Sequence, residues 1–251
     1  MFECGAFASH LTRSIKWNKS MSMIFTPPGQ LPEPGPDFLE NTRFFDIETE
    51  ALRRFAEKSA SGEVTDIGRA VKLFYAVRDG WRYDPFAMRL TPDIYIASNM
   101  LRAKGAFCVP KANLLVAAAR AVGIPTAIGL SDVVNHLTTE KLKQRLGVNY
   151  FMHHGYAVMY LQGQWVKAAP AFNIELCTRF GVRPTEFDGR SDALFQEFDT
   201  SDRRHMEYVK DHGTWSEFPF EKVMADFRGF YPASAFGEEA AERFEDGVPV
   251  R

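Results

Sequence analysis

Apolar positions recur at helical spacing over residues 66–80, where Ile67, Ala70, Val71, Phe74 and Val77 fall on one side. Asp66 is placed to cap this helix, and Gly80 to end it in a left-handed conformation. A less regular helix is predicted over 44–60, anchored by Phe44, Ile47, Leu52 and Phe55, and a short one over 94–104 before Gly105. The clearest pattern is GAFCVPKANLLVAAARAVGIP at 105–125. Pro110 is tolerated only in a first helical turn, where its missing N–H costs nothing. Strong helix formers follow it, Gly123 supplies a stop and Pro125 prevents resumption. The helix is therefore expected to begin close to Cys108 and to run to about Val122. Cys108, Ala112, Leu115, Ala119 and Val122 share one of its faces, and the small alanines let strands approach closely.

A short strand over 126–130 comes next, and then a helix capped by Thr138 or Thr139 and ended at Gly147. Residues 155–169 hold two β-rich runs around Gln162-Gly163 and read as a hairpin with a two-residue turn. Pairing outward from that turn sets Tyr160 against Trp165, Tyr156 against Ala169 and His154 against Ala171. Beyond 173 a helix is expected near 174–180 and another over Phe220, Val223, Met224 and Phe227, with 199–211 as a solvated charged face. The stretch TPPGQLPEPGPDF at 26–38 holds five Pro and two Gly, and reads as an extended arm lying on the domain surface. The domain layout is thus an N-terminal arm over 1–38 and a single domain over 39–251, with its core at about 64–175 and an extension over 176–251.

Composition narrows the class of protein. The 251 residues carry 30 Lys+Arg against 32 Asp+Glu, a net charge of −2 that argues against non-specific nucleic-acid binding. With 45% hydrophobic residues the chain can bury a core without staples. No apolar run is long enough for a membrane span and no secretory signal is evident. Cys4, Cys108 and Cys177 are an odd set that suits a reducing compartment, so a cytoplasmic location is expected.

Cys108 carries the chemistry. At a helix N-terminus the unpaired N–H groups and the dipole favour thiolate, and the same N–H groups can cradle an oxyanion. Lys111, one turn on, is expected to add positive potential. A nucleophilic cysteine needs a base, and of the six histidines only His153 and His154 lie on a strand able to pack on the Cys108 helix. The register puts His154 on one sheet face with Tyr156, Val158 and Tyr160, and His153 on the other, so only one of them can face Cys108. Zinc ligation by His153, His154, Cys108 and Cys177 lacks the usual spacings, so no metal and no cofactor is expected.

These pieces together resemble the transglutaminase-like superfamily of papain-like Cys-His enzymes. The resemblance rests on Gly105, Cys108, Arg120, Ala121, Gly123, Ile124, Pro125, His154, Val158, Tyr160, Leu161, Gly163, Trp165 and Val166. It spans roughly 64–175 and implies an α+β fold in which a nucleophile helix packs on a small antiparallel sheet. It further implies Cys108 as nucleophile, His154 as base and acyl transfer or hydrolysis at amide bonds through a thioester. Substrates would be peptides, proteins or small amides. The family's Asp should fall at Ala169, which cannot accept a hydrogen bond. Asn173, a diagonal neighbour in the expected register, is the substitute orienter, with Asp132 as another candidate. The alternative is a catalytically retired domain that binds a peptide or protein in the same cleft.

Overall fold

The computed structural model describes residues 23–136, 138–195, 201 and 205–236. Expectations for residues 1–22, Cys4 among them, and for the charged end after 236 lie outside these. The described elements are β1 (Phe25–Thr26), α1 (Glu50–Ser59), α2 (Asp66–Gly80), β2 (Arg82–Tyr83), α3 (Ala97–Met100), β3 (Gly105–Ala106), α4 (Cys108–Ala121), β4 (Thr126–Asn135), α5 (Glu140–Leu146), β5 (Tyr150–Leu161), β6 (Gln164–Ala168), α6 (Ile174–Phe180), β7 (Met206–Trp215) and α7 (Phe220–Phe230). A five-stranded antiparallel sheet runs in the order β1-β7-β4-β5-β6, and β2 and β3 form a small parallel pair. The fold is α+β.

At the centre lies α4. Every residue from Cys108 to Arg120 is buried, with α1, α2 and α3 on one side and β5 on the other. A helix so enclosed must be apolar nearly all round, which is how its sequence reads. Its two charged residues are satisfied by main-chain carbonyls. Lys111 Nζ donates to the carbonyls of Arg78, Trp81 and Ala171 at 2.7, 2.7 and 2.8 Å. Arg120 donates to the carbonyls of Thr126, Ser216 and Glu40, tying the end of α4 to β4 and β7. Gly155 admits the close packing of β5: a Cβ there would sit 3.0 Å from the Val109 Cα.

Several local expectations shift. Thr65, not Asp66, caps α2, accepting the Gly68 N–H, and Gly80 ends that helix without a left-handed turn. The helix expected over 44–60 is confined to α1, because Phe44 and Phe45 are buried in an irregular segment pinned by Thr42. Thr139 is the cap of α5 and Gly147 ends it at φ 75°. β4 continues past Leu130 to Asn135, with bulges around Ser131 and Asp132 that re-aim the Asp132 side chain. The Gln162-Gly163 turn has positive φ at both residues, 49° and 87°, as a type I′ turn requires. From Met206 the charged stretch 199–211 is strand β7, paired with β4 and only at its end with β1, and Lys210 and Asp211 on it remain exposed.

The Pro-rich stretch is docked along the sheet rather than loose upon it. β1 pairs with β7, Trp165 Nε1 donates to the Pro32 carbonyl, and Phe38 is buried with Tyr156, Val158 and Ala169.

Candidate active site

Cys108 is the first residue of α4, preceded by Phe107 in an extended conformation. The main-chain N–H groups of Gly155, Val109 and Cys108 itself favour thiolate. Burial outweighs them and pushes the thiol up to about 11. This corrects the expectation of a lowered value, since the first-turn electrostatics act inside a site that water scarcely reaches. Lys111 does not help the sulfur either. Its ammonium is turned to the three carbonyls named above and is itself held down to about 7 by burial.

The sulfur is not sealed. Cys108 is 9% exposed and lines an apolar cavity of about 30 Å³ with Tyr83, Met88, Phe151, Met152 and Tyr231. A larger cavity of about 390 Å³ lies against Gly105, Ala106 and Pro110, with Asp93 and Asn99 as polar members. Phe107 borders both cavities, so the two flank the N-terminal tip of α4.

His154 pairs with Ser131 across β4 and is 3% exposed. Its neighbours Tyr156 and Val158 pack in the small cluster with Phe38 and Ala169, whereas Ala157 and Met159 join the main core with α4. The His154 ring is 4.6 Å from the Phe195 ring and 6.0 Å from that of Tyr208. Phe195 stacks on Phe172 and Phe172 on Tyr83, so an aromatic row leads from His154 to the wall of the smaller cavity. Burial pulls the imidazole down to about 3, and Nε2 has no hydrogen-bond partner. Among the described residues no hydrogen bond joins His154 to Cys108. What links the two is the main chain, because Gly155, the next residue, is among the groups that favour the Cys108 thiolate.

Asn173 is not brought to His154. The ladder of β6 ends at Ala168, where the Ala169 N–H turns to the Ala193 carbonyl, and Asn173 sits at the start of α6. Its Oδ1 accepts the Tyr83 N–H and its Nδ2 donates to Glu175. The orienter reading assumed that the strand ran through Pro170, and the strand stops short of it. Ala169 is fully buried among apolar side chains. Asp132, the other candidate, belongs to a different cluster. Its carboxylate accepts the His153 N–H at 2.9 Å and the Tyr150 hydroxyl at 2.8 Å. The His212 Nε2 lies 2.7 Å from Asp132 Oδ1. Burial would raise the Asp132 carboxyl, but the His212 imidazole and these two hydrogen bonds hold it below its ordinary value. His153 Nε2 in turn meets Asp226 of α7 at 2.7 Å.

Sequence reasoning missed Phe195, His212 and Asp226. Phe195 lies outside any predicted element, and His212 was hidden because the strand that carries it is rich in charge. Asp226 lies on the predicted last helix, but nothing in the pattern assigned it a partner.

The transglutaminase-like superfamily model matches residues 53–170, so this segment is similar to the core of that family. At the level of that family, the match supports cysteine-dependent chemistry at amide bonds. Among solved structures, the chain is similar to one described as "a Putative Cysteine Protease from Cytophaga hutchinsonii", with 14% identity and a TM-score of 0.43. The similarity covers 70% of this chain and 51% of that one, so the chain spans about half the length of that structure. No curated protein matches the chain.

Proposed function

We propose that the protein is a cysteine-dependent hydrolase or acyltransferase acting on amide bonds, with Cys108 as nucleophile and His154 as general base. One observation carries the reading: Cys108 opens α4, and the main chain of Gly155, the residue after His154, is among the groups that favour its thiolate. In the first step the Cys108 proton passes to the imidazole and Sγ attacks the amide carbonyl. First-turn N–H groups receive the developing oxyanion. Collapse expels the amine, which takes the proton back from His154, and leaves a thioester. Water or a second amine then attacks the thioester, giving up a proton to His154 and restoring the thiol. The apolar lining of the small cavity favours an uncharged acyl group, and the larger cavity beyond Phe107 has room for the rest of the donor.

The reading requires the His154 ring to reach the sulfur from the strand face it shares with Tyr156 and Val158, since Gly155, Ala157 and Met159 are the residues of β5 turned to α4, and the resting imidazole lies against Phe195 and Tyr208. Incubation with peptide thioesters and glutamine-containing peptides, followed by intact-mass analysis, tests it. An acyl adduct is expected on Cys108, lost in Cys108→Ala and strongly slowed in His154→Ala.

A second reading, a catalytically retired domain that binds a peptide in the same cleft, draws on Ala169 and on the unpartnered His154 Nε2. Saturable peptide binding that survives Cys108→Ala, with no adduct from any donor, would favour it.

A further inference from the structure

We propose that Asp132, His153 and His212 form a binding site for a divalent transition-metal ion of the zinc type. The three residues come from the bulge of β4, the start of β5 and the end of β7, and one donor atom of each lies within 4.8 Å of the other two. The imidazole rings are 4.4 Å apart. Two imidazole nitrogens and a carboxylate oxygen are a donor set suited to zinc and its neighbours.

Three independent features distinguish this cluster from an ordinary buried ion pair. First, a ring nitrogen is left bare inside the protein: His153 is fully buried with its Nδ1 unpartnered, beside a His212 Nε2 that meets the Asp132 carboxylate at 2.7 Å. A helix-to-sheet link would need only His153 and Asp226; a second imidazole adds nothing to it unless something sits between the rings. Second, the supports sit where a metal site places them. His153 Nε2 is engaged by Asp226, which is itself held by Lys222 at 2.8 Å. That contact fixes the proton on Nε2 and leaves the Nδ1 lone pair for the cluster. The Tyr150 hydroxyl and the His153 N–H orient the Asp132 carboxylate in the same way. Third, His153 sits at φ 56°, in the left-handed region, which breaks the regular strand geometry where its ring meets His212.

Phe227 stands between this site and the small cavity that Cys108 lines, and the proposal does not depend on the enzyme reading. An ion there would clamp α7, through Asp226, to three strands of the sheet. Three protein ligands would also leave a coordination position for water.

The experiment uses the full chain, stripped with chelator, loaded with Zn2+ and dialysed. One retained zinc per chain is expected, with Co2+ giving visible d–d absorption at the same stoichiometry. His212→Ala and Asp132→Asn should abolish retention, and Asp226→Asn should weaken affinity about 10–100-fold. Cys108→Ser should retain the ion in full. No retained metal in the wild type, or retention unchanged in both His212→Ala and Asp132→Asn, overturns the proposal. So does retention lost only in Cys108→Ser, which would mean thiolate capture. Should the ligand variants not fold, the His153 and His212 imidazole nitrogen resonances of the wild type decide: Zn2+ must shift them, and resonances that stay put overturn the site.

Discussion

His153 and His154 are adjacent in the chain, yet they inhabit opposite chemical worlds. His154 has aromatic neighbours, no hydrogen bond on Nε2 and a pKa pulled down to about 3 by burial alone. His153 is equally buried but lies in a polar network with Asp132, His212, Asp226 and Lys222. Burial lowers it as well, to about 4, with Asp226 working against the shift. The pleat accounts for the separation, since successive strand residues face opposite ways and the left-handed turn at His153 widens the difference. A histidine held in place by charged partners is suited to structure or to a ligand. One packed among aromatic rings with its Nε2 unpartnered keeps that nitrogen available for a proton when the site opens.

The largest test of this contrast is activity. His154→Ala should slow acylation by about 10²–10⁴-fold, the usual contribution of a general base. An acylation rate within a few-fold of wild type would remove His154 from the mechanism. Thiol titration comes next. With Cys108 raised to about 11, the thiol form dominates at neutrality. Iodoacetamide labelling should therefore climb about tenfold per pH unit from neutrality toward that value. A plateau near pH 7 would mean that the helix terminus prevails over burial after all.

His153→Ala should act on folding instead. It removes a fully buried side chain and strips Asp226 of its partner, so chemical denaturation should show a loss of about 2–3 kcal/mol. A loss below about 0.5 kcal/mol would show that the network is not structural. Smallest in effect is Gly155→Ala, between the two faces. The added methyl meets the Val109 backbone at 3.0 Å and should cost about 1–2 kcal/mol, with slower Cys108 acylation as the start of α4 is pushed off β5.

How far these features could be read in advance depended on the range of the signal. Pro110, Gly123 and Pro125 punctuate α4 locally, and the boundaries of that helix were legible to within a residue. The Gln162-Gly163 turn likewise fixed the hairpin register through Tyr160 and Trp165. The extent of the ladder was not legible, because Pro170 and the bridge from Ala168 to Ala193 end it through a distant segment. The thiol pKa was misjudged for a related reason: a helix terminus is visible in sequence, whereas the burial that overrides it comes from residues far along the chain. β7 was invisible because Glu207, Lys210 and Asp211 masked a strand whose partners, not its composition, place it in the sheet.

The docked Pro-rich stretch has a practical consequence for how the chain can be cut. A fragment beginning at residue 39 would uncover the outer flank of β7 and take away the ring of Phe38 from Trp165. Such a trimmed protein would present an open template to other chains and tend to self-associate. The leading segment is therefore better regarded as a selvedge that keeps the sheet from unravelling into its neighbours.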